Sequence, residues 1–146
     1  MDLGLRAGAR TEVHEPADSE AKNVILLDTN ALLWLQRRHK RAKPLDRHPG
    51  RLYMSPANLL EIQLLTESGR VRAVGSASPR DLLGDERWTQ DDPPSADWFD
   101  IALGIAWTRD TFDRLLVAHA RLRRWRLATA DSLILEHLDP SEYLAL

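Results

Sequence analysis

Four acidic residues stand at the joints of this chain, each where an apolar run ends or a helix begins. Asp28 closes Val24-Ile25-Leu26-Leu27, and Glu61 lies in Ser55-Pro56-Ala57-Asn58-Leu59-Leu60-Glu61-Ile62. Asp113 lies in Arg109-Asp110-Thr111-Phe112-Asp113-Arg114, and Asp131 ends Ala128-Thr129-Ala130-Asp131. A carboxylate set against apolar neighbours is costly to desolvate unless something positive meets it. No cluster of Lys accompanies these positions, so a hard divalent cation is the economical counter-charge. The fold must then bring four distant segments to one place.

The local patterns say how. Val24 to Leu27 is a short, branched, continuous apolar run that suits a strand buried on both faces of a parallel sheet. A helix follows from about Thr29 through Arg38, with Ala31, Leu32 and Leu35 turned inward. Arg37 to Pro44 closes it as a basic loop. Arg51 to Met54 fits a second strand. Ser55-Pro56 gives a helix cap with Pro at the first helical position, and Gly69 ends that helix. Ser78-Pro79 repeats the start signal, and Arg87 to Gln90 fits a further strand. Ser95 is expected to cap a helix running to about Trp107, and Asp110 or Thr108 the next, which carries Phe112, Leu115, Leu116, His119 and Leu122 at helical spacing. Arg126 to Thr129 reads as a strand, Asp131 opens a last helix through His137, and Glu142 to Leu146 fits an edge strand. Strands alternating with helices imply an α/β domain with a parallel sheet. Residues 1–22 mix Gly, Ala, Pro and charge without periodicity and read as a flexible extension before a domain spanning 23–146.

In open parallel α/β sheets, ligands bind beyond the carboxyl ends of the strands at a topological switch point. Asp28 and Asp131 each follow a strand directly and belong at that edge, and Asp113 starts a helix leading back from it. Glu61 has Leu64 and Leu65 at i+3 and i+4, so it is expected to share a face with core residues and to point into a polar site. Each acid also has a plainer reading. Asp28 and Asp131 serve as helix caps, Asp113 as a first-turn acid paired with Asp110, and Glu61 as a boundary residue. Taken together, in these apolar settings, the plainer readings are harder to hold.

Composition removes several classes. With no cysteine, disulfides, thiolate zinc sites and thiol nucleophiles are excluded. No apolar run approaches the ~20 residues of a membrane span, residues 1–22 lack a secretory apolar core, and a cytoplasmic protein fits. The net charge of -2 gives no global signal for nucleic acid, although basic residues gather in 37–51 and 109–126.

The ordered set of four motifs resembles the PIN-domain family of metal-dependent nucleases, and within it the VapC-like toxin ribonucleases. Leu27-Asp28-Thr29-Asn30 with Ala31-Leu32-Leu33-Trp34-Leu35 is similar to the opening motif, and Ser55-Pro56 with Leu60-Glu61-Ile62 to the second. Arg109 through Ala118 is similar to the third and Leu127 through Asp131 to the fourth. The resemblance runs from about Val24 to Asp131. Leu60 stands where a Trp is common and Thr111 where a Pro is common; neither removes an acid.

The resemblance implies a PIN-like three-layer α/β/α sandwich with a central, mainly parallel sheet. It also implies an Mg²⁺-dependent endoribonuclease, with Mn²⁺ as the alternative ion, in which Asp28, Glu61, Asp113 and Asp131 are catalytic and hold the metal. Some of those contacts are expected through water. Thr29, Asn30 and Ser55 are candidates to orient water or carboxylate oxygens, and Arg114 to reach substrate phosphate or a carboxylate. Implied partners are an RNA substrate, an antitoxin protein and a second copy in a homodimer, with no membrane. The alternatives are a housekeeping PIN nuclease without an antitoxin and a non-catalytic RNA- or protein-binding module. The run Arg37, Arg38, Lys40, Arg41, Lys43 reads first as a solvated basic loop and second as a contact for an RNA backbone. His39, His48, His119 and His137 show no ligand pairing and read as structural or surface residues. Trp34 and Trp107 are expected to pack, and Trp98 and Trp125 to be partly exposed.

Overall fold

The computed structural model describes residues 23–71 and 78–146; the proposed N-terminal extension lies outside them. Five strands, β1 (Ile25–Leu27), β2 (Leu52–Met54), β3 (Thr89–Gln90), β4 (Arg126–Thr129) and β5 (Tyr143–Ala145), form one sheet in the order β3-β2-β1-β4-β5. Every pairing is parallel. The expected sheet is therefore present and wholly parallel among the described residues.

Period-two alternation divides the core between the two faces of that sheet. Ile25 and Leu27 face α1 (Thr29–Gln36) together with Leu32, Leu35 and Ile62. Leu26 and Leu127 face the other way, onto α4 (Ser95–Leu103) and α5 (Thr111–Arg123) through Trp98, Ala102, Leu116 and Val117. Both faces are covered, as short apolar parallel strands require. The remaining helices are α2 (Lys43–Asp46), α3 (Pro56–Glu67) and α6 (Ser132–His137). Sheet order reverses between β1 and β4, whose neighbouring carboxyl ends form the switch-point crevice.

Helix starts follow the sequence signals closely. Asp28, Ser55, Asp110 and Asp131 cap α1, α3, α5 and α6 through their side chains. At α3, Ser55 and Asn58 form a reciprocal capping box, with Pro56 in the first turn. Helix α4 departs from expectation at both ends. Ser95 is its first residue rather than its cap, Pro94 precedes it without a side-chain cap, and the helix stops at Leu103, not near Trp107. Gly104 breaks it, with its amide and that of Ile105 bonded three residues back to Ile101 and Ala102.

Three helices end in the same paired-amide motif. After α3, Gly69 at φ 79° bonds Thr66 while Arg70 bonds Leu65. After α1 the left-handed position is Arg38 at φ 56°, and after α5 it is Arg124 at φ 61°. A side chain there costs roughly 1 kcal/mol relative to glycine. The strained turn at Arg38 stops α1 at Gln36, short of the expected Arg38. The segment expected to be an open basic loop is instead a 3-10 turn, Lys40–Ala42, running into α2; buried Ala42 and Leu45 anchor it.

A polar cluster ties the end of β3 to α5. Fully buried His119 donates from Nε2 to Asp91 Oδ2 at 2.7 Å, and Arg123 Nε meets the same oxygen at 2.8 Å. Histidine Nδ1 has no hydrogen-bond partner among the described residues. Trp98, expected to be partly exposed, is buried against His119 and donates its indole N–H to the Leu115 carbonyl. Burial opposes ionisation of Asp91, but the hydrogen bonds from His119 and Arg123 and their charge hold its carboxyl down at about 2.

A carboxyl depressed in the folded state adds stability above its unfolded value and loses it as pH falls through the folded one. Urea unfolding should therefore show Asp91→Ala less stable than wild type by about 2–3 kcal/mol at pH 7. That gap should close between about pH 4 and pH 2; an equal gap at both ends would exclude the ionised network as its source.

Candidate active site

Asp28 leaves β1 at the switch point. Its amide donates to the Ala128 carbonyl of β4 at 3.1 Å, and its Oδ1 accepts the Ala31 amide at 2.7 Å. The residue is 7% exposed, with the Thr129 hydroxyl hydrogen-bonded to its carboxylate. Desolvation is the largest influence on this group and raises its pKa to about 6, against those two hydrogen bonds and with added repulsion from Asp131. Capping and a buried charge are thus one and the same residue's two roles.

Glu61 is held by a short polar relay. The Ser55 amide donates to Asn58 Oδ1 at 2.6 Å, Asn58 Nδ2 donates to Thr29 Oγ1 at 3.1 Å, and the Thr29 hydroxyl donates to Glu61 Oε1. Burial raises the Glu61 pKa, with Thr29 opposing and Asp110 and Asp28 adding repulsion. The expected shared face with Leu64 and Leu65 is not what positions Glu61. Leu64 is 45% exposed, and α3 turns Ala57, Asn58 and Ile62 inward, leaving Glu61 on the flank that meets α1.

Asp113 is half-buried in the first turn of α5, where its amide donates to Asp110 Oδ1 at 2.9 Å. Its carboxyl is pushed up to about 7, first by desolvation and then by repulsion from Asp110, Asp131, Glu61 and Asp28. That one residue senses the other four acids, so the segments carrying them face a common volume. Asp131 is exposed at the end of β4, its amide on the Thr129 hydroxyl at 3.0 Å and its Oδ1 on the Ile134 amide at 3.0 Å. Stacked rings of Trp107 and His137, 4.6 Å apart, tie the segment before Asp110 to the far end of α6.

Of the other candidates, Thr29 reaches Glu61 directly. Ser55 is fully buried and bonded to the Ala57 amide, so it shapes α3 rather than touching a carboxylate. Asn30 is exposed beside Asp28, and Arg114 donates to the Thr108 carbonyl at 2.8 Å rather than to an acid. Three participants escaped sequence reasoning. Asn58 carried a signal, since it lies one helical turn before Glu61 and three residues after the Ser55 cap. Asp110 reads in the sequence only as a cap, and the Thr129 hydroxyl has no distinguishing mark there. Among the described residues, no group of three or more His, Asp or Glu side chains is placed to hold one ion by direct contacts. The donors are nonetheless all hard oxygens, and three of the carboxyls are raised by burial and mutual repulsion, the setting a hard cation relieves.

The PIN domain family model matches residues 25–138, a span that contains all four acids. This chain belongs to the PIN domain family. The family is one of nucleases that generally use divalent metal ions. No curated protein sequence matches the chain at a significant level. Among solved structures it is similar to a toxin–antitoxin complex from Klebsiella pneumoniae, at 18% identity and TM-score 0.61, over 83% of this chain and 96% of that one. It is also similar to VapBC2 from Rickettsia felis bound to a promoter DNA fragment, at 14% identity and TM-score 0.59, over 84% and 98%. Both share the fold of this PIN domain.

Raised carboxyl pKa values have a definite consequence for the metal-free protein. A carboxyl that is harder to ionise when folded weakens the fold as pH climbs above its unfolded value near 4, and the cost is complete above about 7. Asp113→Asn should therefore stabilise the chelator-treated protein at pH 7.5 by roughly 1–2 kcal/mol after allowance for solvent screening. At pH 4 the variant should gain nothing. Thermal melts at the two pH values check this, and equal shifts at both would sink it.

Proposed function

We propose that this PIN domain is an Mg²⁺-dependent endoribonuclease of the toxin type, with Mn²⁺ as the alternative ion. It would hydrolyse RNA phosphodiester bonds at the crevice between β1 and β4 and be restrained by an antitoxin protein. The observation that carries this reading is that Asp28, Glu61 and Asp131, from three other segments, all act electrostatically on the Asp113 carboxyl. A binding module gains nothing from stabilising carboxylates that repel one another, whereas a metal-assisted hydrolase needs them. The structural neighbour from Klebsiella pneumoniae is a toxin–antitoxin complex by description, which supports the partner assignment. Homodimerisation and a cytoplasmic setting are carried as part of the same proposal; no helix among the described residues is long and apolar enough to cross a membrane.

Asp28, Glu61, Asp113 and Asp131 would hold the ion, some of them through water, which suits a set not gathered into a direct cage. Bound there, the ion supplies a more acidic water and offsets charge on the phosphate oxygens. The chain's own contribution is orientation. Thr29 fixes one oxygen of Glu61, Asn58 fixes Thr29, and the Thr129 hydroxyl sets Asp28 beside Asp131. Hydrolysis adds water across a P–O bond, and an ionised carboxylate in this set accepts the water's proton. Asp110 strengthens the repulsion on Asp113 and Glu61, raising the demand for a cation.

Purified protein free of antitoxin should cut a pool of transfer and ribosomal RNA in Mg²⁺ and stop in EDTA. Asp28→Asn and Glu61→Gln should each lower the rate by about 10²-fold or more, since both remove a charge without changing shape. Full activity in EDTA, or in Asp28→Asn, would end the proposal.

A further inference from the structure

A site built from carboxylates repels the polyanion it is meant to cut, and one divalent ion does not balance four of them. Positive charge must therefore be supplied close by. The densest run on the described surface is the turn from Arg37 to Lys43 after α1, with exposed Arg37, Arg38, Lys40, Arg41 and Lys43; in the other basic run, Arg121 is bonded to Glu142 and Arg123 to Asp91.

Its position is set by a chain of contacts that leads to the site. Arg41 Nη2 donates to the main-chain oxygen of Leu146 at 3.1 Å, and the Leu146 amide donates to the Thr129 carbonyl at 3.0 Å. Thr129 is the last residue of β4, and its hydroxyl bonds Asp28 and accepts the Asp131 amide. Register agrees: Thr129 pairs with Ala145, so Leu146 lies level with Ala130, one residue before Asp131. The Arg41 guanidinium thus reaches the carboxyl end of β5, the strand next to β4.

The turn is also pre-formed. The Trp34 ring carries the His39 imidazole stacked at 5.6 Å and the Arg41 guanidinium at 4.7 Å from its centroid. His39 Nδ1 accepts the Arg41 amide at 3.1 Å, and the left-handed Arg38 residue turns the chain sharply between α1 and the 3-10 turn. A merely solvated loop has no need of this bracing, which fixes where the charges point at a cost in backbone strain.

We propose that the basic turn is the track for the RNA backbone flanking the scissile phosphate, with Arg38, Lys40 and Lys43 meeting phosphates. Trp34, His39 and Arg41 act as positioning residues that hold the turn beside β5. This rests on the nuclease reading above and extends it to where the strand enters.

The test measures binding of a short fluorescein-labelled oligouridine, in calcium to support binding, across about 50–200 mM salt. The proteins are wild type, the triple variant Arg38→Gln/Lys40→Gln/Lys43→Gln, and a control, Arg80→Gln/Arg124→Gln, distant in sequence from the turn. Each phosphate contact on a single strand adds about 0.7 to the slope of log affinity against log salt, so the triple variant should lose roughly 2 and the control far less. Cleavage of an RNA pool by the same proteins is read in parallel, and circular dichroism checks that each is folded. A triple variant with an unchanged slope, while wild type still cuts RNA, overturns the track and leaves the nuclease reading intact. Wild type that neither binds nor cuts RNA overturns both.

Discussion

The carboxylate of Asp28 is held in the seam between β1 and β4 by the Ala31 amide and the Thr129 hydroxyl, and the rest of the candidate site is arranged around it. This single group starts α1, closes β1 and brings a negative charge into a buried place. Its neighbours follow from that position. Thr129 also takes the Asp131 amide, and Thr29, one residue on, turns its hydroxyl to Glu61. A parallel sheet whose order reverses at β1 and β4 is what lets two strand ends meet there.

Two polar clusters in the same domain are solved in opposite ways. Around Asp91, the charge of Arg123 and the imidazole of His119 meet the carboxylate, which stays easily ionised despite partial burial. Around Asp113, the neighbours are other acids and the carboxyl is pushed up to about 7. The first cluster is complete in itself and holds α5 to the end of β3. The second gathers acids that repel one another, the setting in which a cation is proposed to sit.

Much of the architecture was legible because local chemistry dictates it. Local residue patterns place all five strands within a residue or two, and the Ser55-Pro56 signal starts α3 where it is expected. The misses have local causes too. Gly104 cut α4 short, and α1 stopped early because Arg38 adopts a left-handed backbone that no composition rule marks. Trp98 is buried because its indole N–H finds the Leu115 carbonyl, a partner invisible in one dimension.

The sequence by itself determined the alternation of strands and helices, the caps, and the acids that stand at strand ends, because each depends on residues within about one helical turn of one another. Tertiary structure alone decided that the Thr29 hydroxyl meets Glu61 across 32 positions, that Asn58 supports it, and that Asp110 joins the repulsion on Asp113. It also decided that Arg41, from the basic turn, meets the main chain of Leu146 after β5. Those relations arise where separate elements pack, and the strength of a charge depends on which distant groups share its low-dielectric surroundings.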